Sequence, residues 1–129
     1  MNNGICSVTT HRPVDDVVQR LTSLLTEKNI KLFTIVDHSG EAAAAGLLIP
    51  NTKLLIFGNP KVGTPVMLSA PSAALDLPLK ILVSQEPDGT AVLSWNDPAW
   101  LQQRHNFSPE LVANLAAAEI LARKAAGPE

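Results

Sequence analysis

The densest group of residues that could do chemistry lies between positions 96 and 105. Its polar and aromatic members are Asn96, Asp97, Trp100, Arg104 and His105. A guanidinium group can bind an anion through paired hydrogen bonds, and an imidazole can carry protons near neutral pH. Arg104 and His105 follow Asp97 by about two helical turns, so the three share a face only if one helix runs unbroken. The segment predicts either the wall of an anion-binding pocket or an Arg–Asp pair that ties a helix to the sheet.

His38 is a second candidate because it stands at the predicted end of a strand. It is flanked by Asp37 and Ser39, the residue types of a catalytic triad. Neighbouring residues of an extended chain point to opposite faces, so three in a row cannot form the relay of nucleophile, base and orienting acid. His38 alone could act as a ligand or general base, or it could bond nearby backbone. The three histidines have no paired spacing, and we predict no metal site.

A glycine-containing segment, Gly58-Asn59-Pro60-Lys61-Val62-Gly63-Thr64, follows an apolar run. It superficially resembles a phosphate-binding loop, which requires a lysine between the second glycine and the hydroxyl residue. Here Thr64 follows Gly63 directly, and Pro60 removes a backbone amide. We therefore predict a strand-to-helix turn capped by Asn59, and no nucleotide or other cofactor.

The connection from Asn59 to Pro78 contains four prolines. Each proline removes a backbone donor, so we predict no long helix there, only short helical turns that open at Asn59-Pro60 and Thr64-Pro65. Long connections with little regular structure often carry function. Asp76 and Lys80 are four residues apart, but the intervening proline excludes a helical ion pair. The residues predicted to build a ligand site are His38, Asn59, Lys61, Thr64, Asp76, Lys80, Asn96, Asp97, Arg104 and His105.

Apolar spacing predicts the elements that must position these residues. We expect strands at about 5–9, 31–37, 52–58, 79–86 and 91–96, the last two joined as a hairpin. The run 52–58 is almost continuously apolar, which is typical of a central strand covered on both faces. Helices are expected at about 13–29 and 97–105, with a long final helix from Ser108-Pro109 to about Ala126. Residues 39–46 could make one or two helical turns.

This order of elements predicts an α+β fold. Runs of strands flanked by helices favour a two-layer sandwich, in which an antiparallel or mixed sheet of about five strands carries helices on one face. The chain of 129 residues is long enough to bury one hydrophobic core, and we expect a single domain over residues 1–129.

Composition excludes several classes of function. Ten Lys and Arg against twelve Asp and Glu give a net charge of −2. The basic residues are scattered and form no stripe along a phosphate backbone, so we predict no nucleic-acid binding. The longest apolar stretch, 42–50, is far shorter than the roughly 20 residues of a membrane helix. With no signal-peptide pattern at the N-terminus, we expect a cytoplasmic protein without membrane contact. The single cysteine, Cys6, excludes an internal disulfide.

Three motifs in order resemble a known family. They are Phe57-Gly58-Asn59-Pro60 with Gly63-Thr64-Pro65 and Met67, then Leu77-Pro78-Leu79-Lys80, then Asn96-Asp97-Pro98 with Trp100, Arg104 and His105. The family is the one catalogued as domain of unknown function 302. The resemblance implies a two-layer arrangement related to the TATA-binding-protein fold, in the order strand, helix, four strands, helix, and it implies a dimer. It supplies no activity, and the basic surface needed to carry over DNA binding is absent.

Three functional hypotheses follow. The leading one is a homodimeric small-molecule-binding or accessory protein whose polar residues hold a small anionic ligand. The alternative is an enzyme that uses His38 or His105 as general acid–base, with Lys80 or Arg104 holding an oxyanion or carboxylate. The third is a structural or interaction module in which the polar motifs only fix loops.

Overall fold

The computed structural model of the protein describes residues 3–127 and contains one antiparallel five-stranded sheet. The strands lie in the order β1–β5–β4–β3–β2. Their bounds are β1 Ile5–Thr10, β2 Lys31–Asp37, β3 Thr52–Gly58, β4 Leu79–Gln85 and β5 Ala91–Asn96. The first two strands lie at opposite edges of the sheet. Helix α1 (Val14–Glu27) connects them. The predicted α+β fold and the predicted strands are confirmed.

The main hydrophobic core lies between one face of the sheet and two helices, α1 and α5 (Ala117–Ala126). Val17, Leu21 and Leu25 recur at four-residue steps on α1 and are almost fully buried. They form one face of the helix because an α-helix turns every 3.6 residues. On the sheet, alternate residues such as Ile81 and Leu93 point into the same core.

Strand β3 lies next to the edge strand β2 and is less covered than its sequence predicts. Leu55 and Phe57 are buried in the main core, whereas Leu54 and Ile56 on the opposite face are only partly buried. The expectation of a central strand covered on both faces is therefore wrong. The run is continuously apolar because Leu54 and Ile56, on the sheet face that no helix of residues 3–127 covers, are apolar as well as the core residues.

A second, smaller core lies beyond the end of the sheet where β3 ends and β4 begins. Four short helices surround it: α3 (Pro60–Ser69), a first 3₁₀ helix (Pro71–Leu75), α4 (Pro98–His105) and a second 3₁₀ helix (Pro109–Leu115). The buried residues of this core are Val66, Ala70, Ala73, Leu101, Phe107 and Leu115.

The Pro-rich connection contains more helix than the sequence predicts. Helix α3 continues for ten residues with Pro65 inside it, and Asn59 caps its N-terminus as expected. An internal proline costs one backbone hydrogen bond and crowds the preceding turn. Burial of Val66, the next residue, in the second core offsets that cost.

The C-terminal region is two helical segments instead of the one long helix predicted for 108–126. A 3₁₀ helix covers Pro109–Leu115, and α5 covers Ala117–Ala126. The break lets the segments serve different cores, because Leu115 packs in the second core and Leu121 in the main one. None of the helices in residues 3–127 has the length and apolar composition that crossing a lipid bilayer requires.

Candidate functional site

An apolar pocket of about 280 Å³ lies where the sheet meets the second core. It is enclosed by the end of β3, by α3 and by the start of β4. Its lining residues are Phe33, Gly58, Asn59, Pro60, Val62, Gly63, Thr64, Met67, Leu77, Pro78, Leu79, Asn114 and Leu115. No charged side chain among residues 3–127 belongs to this lining. The pocket can therefore hold a small apolar body, with hydrogen bonds available only from a few neutral groups.

The polar side chains of the pocket are two amides and one hydroxyl. The Oδ1 atom of Asn59 accepts the backbone N–H of Lys61 at 3.0 Å and so caps α3. The Nδ2 atom of Asn114 donates to the carbonyl of Val62 at 3.0 Å. Within residues 3–127, the Nδ2 group of Asn59 and the hydroxyl of Thr64 make no hydrogen bond to protein. These two groups are available to a ligand.

Asp76 forms a second polar cluster, which lies outside the pocket lining. Its Oδ2 atom is 2.6 Å from Nε2 of His105 and 3.1 Å from Nη1 of Arg104. The other ring nitrogen of His105, Nδ1, is 2.7 Å from the hydroxyl of Ser72. The side chain of His105 is only 4% exposed, whereas that of Arg104 is 45% exposed and lies 5.7 Å from the ring of Trp100. The cluster joins α4 to the first 3₁₀ helix.

Lys80 holds the chain segment that forms one wall of the pocket. Its Nζ atom donates to the carbonyls of Asp76 at 3.0 Å and Pro78 at 2.8 Å. Burial lowers the pKa of Lys80, and the nearby Asp76 carboxylate partly opposes that shift. The amine bonds the backbone of Asp76 and not its carboxylate, consistent with the predicted absence of a helical ion pair. Leu77 and Pro78, which lie between these contacts, line the pocket.

One of the two predictions for residues 96–105 was an Arg–Asp pair that ties a helix to the sheet, and the acid of the observed pair is not Asp97. Asp97 accepts the backbone N–H of Ala99 at 3.1 Å and caps α4, whereas Arg104 pairs with Asp76. Asp97 and Arg104 stand at opposite ends of an eight-residue helix, so the cap cannot also serve as the partner.

The remaining candidates lie apart from the pocket. Asn96 and Lys80 line a shallow depression of about 190 Å³ on the uncovered sheet face. Lys61 is exposed at the start of α3, and His38 is exposed at the start of α2 (His38–Ala44). Next to His38, Asp37 accepts bonds from Gly40 N at 2.9 Å and Ser39 Oγ at 2.7 Å, and both hold the pKa of its carboxyl low.

The family described as Domain of unknown function DUF302 matches residues 6–124 of the chain. The chain belongs to this family. A crystal structure of an uncharacterized conserved DUF302 protein from Bacillus stearothermophilus has the same fold. Its TM-score is 0.79 at 20% sequence identity, and the match covers 97% of both chains.

Two curated relatives carry the name fluoride-specific ion channel FluC 1. They come from Brucella suis biovar 1 (strain 1330) and Brucella abortus biovar 1 (strain 9-941), and each is 38% identical over 107 residues. The match covers 83% of this chain but only 42% and 40% of the relatives. The chain thus spans about two-fifths of the length of these proteins.

The three motifs that carry the resemblance to the family divide between the pocket and its supports. Most residues of the first two motifs line the pocket: Gly58, Asn59, Pro60, Gly63, Thr64 and Met67 from the first, and Leu77, Pro78 and Leu79 from the second. Lys80 and Arg104 instead bond the segment that carries its wall. Sequence reasoning did not find Phe33 or Asn114, because only the fold brings them to the pocket. Ser72 also carried no signal, since an isolated serine after a proline is a common turn residue.

Proposed function

We propose that this DUF302 domain is a homodimer that binds a small, mainly apolar molecule in the pocket between β3, α3 and β4. The observation that carries the proposal is an apolar cavity of about 280 Å³ whose lining includes most residues of the first two motifs. A protein cavity of about 150 Å³ holds one benzene ring. A bicyclic molecule is therefore the size class that the pocket fits best.

One polar group on the ligand is expected to face the pocket amides. The Nδ2 group of Asn59 and the hydroxyl of Thr64 can donate hydrogen bonds, and the rest of the lining offers mainly carbon atoms. Burying a polar group without a partner is costly, so a ligand with a single acceptor, such as a hydroxyl or carbonyl oxygen, is favoured over one with several.

The polar residues around Asp76 support this proposal as positioning residues. Lys80 bonds the carbonyls on both sides of Leu77, and Arg104 and His105 bond the Asp76 side chain. Together they hold Leu77 and Pro78 against the pocket. Preorganisation of this kind lowers the entropy cost of binding.

An anionic ligand is a second candidate, carried by the half-exposed guanidinium of Arg104. Asp76 already neutralises that guanidinium, and Arg104 lies outside the pocket lining. An anion is therefore favoured less than a neutral ligand. Loss of anion binding in Arg104→Ala, with the fold intact, would reverse this order.

The binding test compares naphthalene, 2-naphthol and 2-naphthoate by titration calorimetry. Gly58→Leu is the blocking variant, because a Cβ at Gly58 would lie 3.5 Å from both Phe33 and Pro78, two residues of the lining. Ala74→Leu adds the same side chain at an exposed position outside the lining and serves as control. We expect 2-naphthol to bind the wild type and the control, but not Gly58→Leu. Equal binding to all three proteins would refute the pocket as the site.

The dimer is proposed on the uncovered face of the sheet. This face carries partly buried apolar residues such as Leu54, Leu82 and Val92, and the hydroxyls of Ser7 and Ser94 lie 3.1 Å apart on it. A second copy with the same surface would cover these residues around a two-fold axis. We expect light scattering to give a dimer for the wild type and a folded monomer for Leu82→Asp. Ala74→Asp, which adds the same charge elsewhere, should remain dimeric, and a monomeric wild type would refute the proposal.

The Brucella relatives support an accessory role. An ion channel must satisfy its backbone hydrogen bonds inside the bilayer, and none of the helices in residues 3–127 of this chain has the length and apolar composition of a membrane span. The part of these relatives that matches this chain is expected to fold as the same open α+β sheet, at 38% identity over 107 residues. The channel would then lie in the remaining, larger part, and the DUF302 domain would be an attached ligand-binding module.

A further inference from the structure

A serine, a histidine and an aspartate form a continuous hydrogen-bonded chain outside the pocket. Oγ of Ser72 is 2.7 Å from Nδ1 of His105, and Nε2 of His105 is 2.6 Å from Oδ2 of Asp76. This is the arrangement of nucleophile, general base and orienting acid that activates a serine. In the usual triad Nε2 of the histidine faces the serine and Nδ1 faces the acid, whereas here Nδ1 faces Ser72 and Nε2 faces Asp76. Either nitrogen can accept the proton of a hydroxyl when the other donates to a carboxylate.

Local structure places these three groups together. Ser72 and Asp76 stand at the two ends of the first 3₁₀ helix, and the backbone N–H of Asp76 closes its last turn on the carbonyl of Ala73 at 3.0 Å. His105 is the last residue of α4, which Asp97 caps at the other end. The hydrogen bonds between the three side chains therefore depend on the packing of α4 against the first 3₁₀ helix.

The solvent exposure of the three side chains differs in the way that a reactive serine requires. Ser72 is exposed, so a reagent from solution can reach its hydroxyl. The side chain of His105 is 4% exposed and that of Asp76 is 19% exposed. A base shielded from water keeps its hydrogen bonds to both neighbours. Arg104 Nη1 also donates to the Asp76 carboxylate, to the same Oδ2 atom at 3.1 Å and to Oδ1 at 3.4 Å, and so helps to fix its position.

We infer that Ser72 is a nucleophile toward small activated esters, with His105 as its general base and Asp76 as the residue that orients His105. Oγ of Ser72 attacks the acyl carbon while its proton passes to Nδ1 of His105. The bond from the acyl carbon to the leaving-group oxygen then breaks. The leaving group departs with that proton, or it departs as its free anion and His105 gives the proton to solvent. Water activated by His105 subsequently cleaves the acyl-serine, which releases the carboxylic acid and restores the hydroxyl.

The test is the reaction of the full chain with p-nitrophenyl acetate. Release of p-nitrophenolate is followed by absorbance, and the acetylated residue is identified by mass spectrometry of the intact chain and its peptides. We expect an initial burst of one p-nitrophenolate per chain and acetylation of Ser72. Ser72→Ala should lose the burst. His105→Gln should slow it by at least about a hundredfold, since a general base contributes about 10²–10⁴-fold.

Ser108→Ala is the matched control, because Ser108 is also exposed and makes no side-chain capping bond. It should react like the wild type. Ser72→Cys, which restores a nucleophile beside the same histidine, should regain the burst. Circular dichroism checks that each variant is folded, and Ser72→Ala decides the question even if His105→Gln does not fold. Acetylation that is equal in wild type and Ser72→Ala, or that is spread over lysines with no burst, would overturn the inference.

Discussion

Replacing Asp76 with alanine should lower the free energy of unfolding by about 2–4 kcal/mol, whereas Arg104→Ala should lower it by about 1 kcal/mol or less. The difference arises from burial. Asp76 bonds a histidine whose side chain is 4% exposed, at 2.6 Å, and such a charge-assisted bond contributes about 1.5–3 kcal/mol. Its pair with Arg104 is half exposed, and pairs of that kind contribute about 0–1 kcal/mol.

The measurement is urea-induced unfolding at neutral pH of the wild type, Asp76→Ala, Asp76→Asn and Arg104→Ala. Asp76→Asn keeps the size of the side chain and can still accept a hydrogen bond from His105, so it should lie between the wild type and Asp76→Ala. Unfolding slopes should be the same in all four proteins, since none of the changes alters the extent of the core. A cost for Arg104→Ala equal to that of Asp76→Ala would refute the argument, because it would place the stabilising interaction at the exposed pair.

Three further predictions concern pH and backbone strain. The pKa of Lys80 is lowered below 10.5, so the unfolded chain binds more protons between the folded pKa and 10.5, and stability rises with pH through that window. In Lys80→Met the urea midpoint of unfolding should rise less with pH across the alkaline range. The same rise in the variant and the wild type would contradict the prediction. Hydrogen bonds from Asn51 and then Lys53 hold the pKa of Asp15 below 3.8, and their stabilisation is present above 3.8 and lost as pH falls through the lowered pKa. In Asp15→Asn the free energy of unfolding should therefore depend less on pH in the acid range. Acid titration of the circular dichroism signal checks this. Gly89→Ala should cost about 1–2 kcal/mol in urea unfolding through strain alone, because φ is +88° and nothing lies within 4 Å of an added Cβ; a neutral effect would show that the hairpin relaxes.

The positions of the strands and of α1 could be predicted from the sequence. Their apolar residues repeat every two positions in strands such as 91–96, and every three or four in α1 (Val14–Glu27). These repeats follow from the geometry of each element alone, so no knowledge of the neighbouring elements is needed. Capping by Asn59 and Asp97 was predictable for the same reason, because the bonded amide lies only two residues away.

Helix lengths were predicted less well where one segment contributes residues to both cores. The region 108–126 has a nearly continuous helical pattern, yet it changes helix type so that Leu115 and Leu121 reach different cores. Only short helical turns were expected to open at Asn59-Pro60 and Thr64-Pro65, but packing of Val66 keeps α3 continuous through Pro65. Tertiary packing outweighs local preference in both cases.

The sequence by itself determined which polar residues are available and that the chain forms an α+β sheet with helices on one face. Only the tertiary structure decided how those residues group. Arg104 pairs with Asp76, 28 positions away, and His105 reaches both Asp76 and Ser72. The pocket likewise collects side chains from β2 to the second 3₁₀ helix. Spacing along the chain reports neighbours within one helix or strand, whereas a site depends on distances between elements, and the packing of the two cores sets those distances.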